Sequence, residues 1–85
     1  MGSVIVTLRV MPKSVKTDLS IIEEQLRKKI NPQRMERVPI AFGLVSLEVI
    51  KLVEEEEGKV DELIEKMKSI QGVKGVEVIN ITRSL

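Results

Sequence analysis

Twice along the chain, alternating apolar and polar residues give way to an apolar stripe at helical spacing and then return to the strand pattern. This double cycle leaves few folds open. In residues 4–11, Val4, Val6, Leu8 and Val10 share one face of an extended segment, with Ile5, Thr7, Arg9 and Met11 on the other. Met11-Pro12-Lys13-Ser14 ends this strand, because proline cannot donate to a ladder and restricts the residue before it. Leu19, Ile22, Leu26 and Ile30 then recur at steps of three and four, the mark of one buried helix face. The helix starts at Asp18 or at a Ser20–Glu23 capping box, and Asn31-Pro32 stops it.

The second cycle opens with a short strand over residues 35–38 and a clearer one over residues 44–53, where Val45, Leu47 and Val49 share a face opposite Ser46 and Glu48. Gly43 falls at or near the hairpin between them. Glu54 to Glu57 reads as a solvated loop feeding a helix, since carboxylates favour a helix N-terminus. Val60, Leu63, Ile64, Met67 and Ile70 form the second stripe, and Gly72 is placed to end it. In the last strand, residues 73–82, the apolar parity shifts from Val76 and Val78 to Ile79 and Ile81, which predicts either a bulge or burial on both faces, with Gly75 as the soft point.

The order β, α, β, β, α, β, with right-handed crossovers, predicts an α+β ferredoxin-like fold: a four-stranded antiparallel sheet with two helices on one face. Residues 1–85 make a single domain, since a chain this short has no room for a second core. One Phe and no Trp or Tyr mean that Val, Ile and Leu fill it.

Several kinds of chemistry are excluded. Cysteine and histidine are absent, which removes disulfides, thiol nucleophiles, imidazole bases and nearly all zinc or copper sites, and fits a cytoplasmic location. No serine or threonine has a base partner and no glycine loop has phosphate-cradling spacing. The expectation is therefore a chain with no catalytic residue, cofactor or metal, and no nucleotide bound by it alone. A net charge of +1, with both signs spread along the chain, gives no footprint for nucleic acid. No stretch approaches the ~20 apolar residues that cross a bilayer, so no membrane partner is expected.

Pro39-Ile40-Ala41-Phe42-Gly43-Leu44 stands out against this background because it holds the only aromatic residue. Pro39 is barred from a central ladder and Gly43 is free to take positive φ, so the segment bends and presents Ile40 and Phe42. Phe42 is then either a core plug or an exposed anchor for a pocket on a partner.

Val6-Thr7-Leu8-Arg9-Val10-Met11-Pro12 and Pro39-Ile40-Ala41-Phe42-Gly43-Leu44-Val45-Ser46-Leu47 together resemble the archaeal elongation factor 1-beta family, and the likeness runs over nearly the whole chain. The resemblance implies a guanine-nucleotide exchange factor for the GTPase elongation factor 1-alpha. Such a factor makes no covalent change: it disturbs the magnesium and phosphate contacts of GDP, speeds its release, and is displaced by GTP. It further implies that Phe42 is the inserted aromatic, that Pro39, Ile40, Ala41 and Gly43 shape its loop, and that Met11, Pro12 and Lys13 are secondary contacts or an ordinary strand-ending loop. Eukaryotic relatives carry a penultimate lysine that reaches toward the magnesium site. Here Ser84 stands in that place, and Arg83 is the nearest cation, either serving the same electrostatic role or part of a solvent-exposed tail. The rival reading is a small-molecule-binding regulatory module or a dimeric adaptor using the open sheet face.

Overall fold

In the computed structural model, which describes residues 2–83, the four apolar residues that alternate along the first strand are all buried, and everything else packs over them. The elements are β1 (Ser3–Pro12), α1 (Leu19–Ile30), β2 (Arg34–Pro39), β3 (Val45–Glu54), α2 (Lys59–Lys68) and β4 (Val73–Arg83). The sheet order is β2-β3-β1-β4 and every neighbouring pair is antiparallel. β1 and β2 therefore run parallel with β3 between them, the geometry that a right-handed crossover through α1 requires. This is the ferredoxin-like arrangement that the residue pattern predicts.

The core lies between one sheet face and the helices. Val6, Leu8 and Val10 of β1 meet Leu47 and Val49 of β3 beneath Ile22 and Leu26 of α1 and Met67 of α2. It is wholly aliphatic among the described residues. Each such side chain contributes about 1.5–3 kcal/mol on leaving water.

Of the two starts open to α1, Asp18 provides the cap: its carboxylate accepts from the Ser20 N–H at 2.9 Å. The capping box does not form, because Ser20 lies inside the helix with its N–H taken by Asp18, and the Glu23 carboxylate pairs with Arg37 instead. Asn31 closes the helix in the left-handed region, at φ 45°. Local details differ from expectation at α2 and β4. α2 ends at Lys68, short of Ile70, and Gly72 takes φ +95° in the turn beyond it. β4 carries two register shifts, and the one that explains the parity change falls at Ile79, not at Gly75. There the extra residue returns Ile81 to the face it shares with Val6. The second shift lies between Val73 and Gly75.

The outer sheet face is polar where Arg9 lies opposite Glu48 and Glu77, but Ile5 pairs with Leu52 and Thr7 with Ile50 toward the other end. No helix among the described residues is long and apolar enough to cross a membrane.

Candidate functional site

The β2–β3 ladder closes at Pro39 and Val45, leaving residues 40–44 to turn the chain at one end of the sheet. Two backbone bonds set the turn: the Ile40 N–H donates to the Leu44 carbonyl at 2.8 Å, and the Leu44 N–H donates to the Ala41 carbonyl at 3.2 Å. Below them the Ser46 hydroxyl, fully buried, donates to the Val38 carbonyl at 3.2 Å and ties the strands together. A turn this tight requires two successive left-handed residues, Phe42 at φ 60° and Gly43 at φ 77°. Glycine takes that conformation freely, whereas for Phe42 it costs about 1–2 kcal/mol. The same backbone leaves the Phe42 side chain 95% exposed, so it is no part of the core. A strained, solvent-facing aromatic of this kind points to use rather than stability. Pro39, Ala41 and Gly43 are also exposed and Ile40 is half-buried.

The loop after β1 runs beside this turn. A Cβ placed on Gly43 would lie 3.9 Å from the Val15 side chain, and Pro12, Val15, Gly43 and Val45 line one small hollow. One bond inside the loop and one to the turn before β4 hold it: Thr17 Oγ1 accepts from the Ser14 N–H at 3.1 Å, and the Lys13 N–H donates to the Gly72 carbonyl at 2.9 Å. Met11 is half-buried, Lys13 exposed and Pro12 buried, so Pro12 acts on the course of the backbone and not as a contact surface. Val15 is 61% exposed and was invisible to periodicity, which has nothing to say about one apolar residue in a polar loop. Its isolation among Lys13, Ser14, Lys16 and Thr17 is the one signal that marks it.

Arg83 is not brought to this end. It pairs with Val4 at the opposite edge of the sheet, where its Nε donates to Glu55 Oε1 at 2.9 Å. From Val45, beside the turn, to Val53, which pairs with Val4, β3 runs eight residues, roughly 26 Å. Ser84 lies outside the described residues. Among the described residues no group of three or more carboxylates is placed to hold a metal ion.

The sequence comparisons agree with this architecture. The family described as the EF-1 guanine nucleotide exchange domain matches residues 5–83. Elongation factor 1-beta of Methanosphaerula palustris is 39% identical, over 96% of this chain and 98% of that protein. The protein of the same name from Metallosphaera sedula is 42% identical over 98% of this chain and 97% of its own length. That of Thermoplasma acidophilum is 34% identical over 96% and 98%. With the fold, the strand order and these full-length similarities in agreement, the chain belongs to the EF-1 guanine nucleotide exchange domain family, the nucleotide-exchange factors of translation elongation.

Proposed function

We propose that residues 1–85 work as one exchange unit in the cytoplasm, accelerating GDP release from elongation factor 1-alpha by seating Phe42 in an apolar pocket of that GTPase. The observation that carries this reading is the pairing of near-complete exposure with a left-handed backbone at Phe42. The ring is presented before any partner arrives, so little ordering is lost on docking. Pro39, Ile40, Ala41 and Gly43 set its direction, and Met11, at the end of β1, serves as a secondary contact.

No bond of the nucleotide changes in this process. The factor favours a state of the GTPase in which GDP is held weakly, and by reciprocity GDP weakens the hold of the factor. Arg83, about a sheet's length away, acts in this scheme only through a second region of the partner.

The test is release of a fluorescent GDP analogue from purified elongation factor 1-alpha, with and without catalytic amounts of this protein. Acceleration by wild type and its loss in a folded Phe42→Ala variant is the expected result. No acceleration of a verified active GTPase sinks the reading, and ligand-dependent stability of the chain alone would then favour a small-molecule module.

A further inference from the structure

At the end of the sheet away from the hairpin, a hollow of about 330 Å³ opens between the C-terminal end of α1, the end of β3 and α2. Lys51 is among the residues that line it. That residue occupies a β3 position whose neighbours at the same parity, Leu47, Val49 and Val53, are buried beneath the helices. An ammonium cannot be packed there, so the side chain stays half-buried and its Nζ donates to the Asn31 carbonyl at 3.2 Å. Lys29, Lys59 and Lys66 complete a ring of four cations. Only Glu54 and Glu62 oppose them, and Glu62 lies 3.8 Å from the Lys59 ammonium. The walls between are apolar: Ile30, Leu63 and Val53.

The whole chain carries +1, and among the residues that line this one concavity cations outnumber carboxylates by two, with Glu55 to Glu57 lying beyond its rim at Glu54. Concave, poorly polarisable walls focus such a field. Ammonium groups on flexible stems suit a many-oxygened anion as point charges, where a planar carboxylate would favour the fork of an arginine. We infer that this hollow is a binding site for an anion that carries two or more phosphates. It is independent of the hairpin and of the exchange reading.

The phosphate could come from a free anion or from a nucleic-acid backbone, and two titrations separate them. Backbone amide shifts of the full chain are followed on addition of pyrophosphate, and separately of a short single-stranded RNA without terminal phosphates. The expected result is saturable shifts in Lys29, residues 51–54 and residues 59–66, weakening with salt. The Lys59→Gln/Lys66→Gln double variant should bind roughly ten-fold more weakly. A Lys16→Gln/Lys74→Gln variant, with the same net charge but outside the hollow, should bind as wild type does. RNA shifting the same residues at lower concentration than pyrophosphate supports the site and assigns the backbone as source; pyrophosphate alone doing so supports it and assigns a free anion. Absence of saturable shifts there with either probe overturns the inference, as does equal weakening by both double variants.

Discussion

Arg37 reaches from the helix-facing side of β2 to clamp Glu23 of α1, its Nε donating to Oε2 at 3.1 Å and its Nη2 to Oε1 at 2.9 Å. The same Nη2 donates to the Ser20 hydroxyl at 3.1 Å, so one guanidinium fastens the first turn of α1 to the strand that leads into the hairpin. The hydrogen bonds from Arg37 hold the Glu23 carboxyl below its ordinary value, against a smaller opposing effect of burial. A folded-state value that is depressed gives stability present above the ordinary value, 4.5, and lost as pH falls through the lower folded one. Urea unfolding across acidic pH should therefore show a wild-type decline in that window that is shallower in Glu23→Gln. Near neutral pH that variant should be less stable by about 1 kcal/mol. Parallel pH profiles would show that the clamp has no energetic weight.

Replacing Phe42 separates presentation from stability. Phe42→Ala should weaken exchange about thirty-fold, the equivalent of ~2 kcal/mol for loss of a docking anchor. Phe42→Gly should do the same while raising the melting temperature by roughly 2–4 °C, because relief of the left-handed strain exceeds the entropy that glycine adds to the unfolded chain. A clear drop in melting temperature for either variant would mean that the ring packs on the fold.

Gly72 and Gly43 should respond unequally to Ala. At Gly72, with φ +95°, the new Cβ would come within 3.2 Å of Thr17 Cγ2, adding crowding to strain, so a loss of about 2–3 kcal/mol is expected in denaturant melts. At Gly43, with φ +77°, the nearest atom is 3.9 Å away, and strain alone should cost about 1 kcal/mol. Equal losses at the two positions would contradict the contact with Thr17.

The aliphatic core gives the largest effects. Met67→Ala removes a fully buried side chain beneath α2 and should cost about 2–4 kcal/mol. Leu52→Ala, on the outer face and 41% exposed, should cost under about 1 kcal/mol. Near-equal midpoints in urea would show that the outer face is covered in solution.

Most of the architecture was legible because each buried residue sits at the period its element demands. Val4, Val6, Leu8 and Val10 alternate, and Ile22, Leu26 and Ile30 step by three and four, so pattern and burial coincide. The details that escaped depend on contacts between elements. Ser20 and Glu23 satisfy the local rule for a capping box, but Asp18 takes the Ser20 N–H and Arg37, fourteen positions on from Glu23, takes the carboxylate. The parity change announces the bulge at Ile79, where the ladder slips, while the freer backbone of Gly75 borders only the second shift. Phe42 could not be assigned from composition, which favours burial; its exposure comes from the left-handed turn that Gly43 shares. Val15 and the lysine ring had no period to betray them, since only the fold brings loop to loop and helix end to helix end.

The roughly 26 Å of β3 between the hairpin and the ladder end near Arg83 also makes the sheet a rigid spacer. Four hydrogen-bonded strands do not fold back on themselves as a flexible tether would, so surfaces at the two ends meet a partner at one fixed separation. Contacts made at both ends would reinforce each other through a high effective concentration, but only on a partner whose own two surfaces match that span. A surface offering a pocket for Phe42 alone would gain nothing from the far end, and the spacer thereby selects among partners by distance as well as by chemistry.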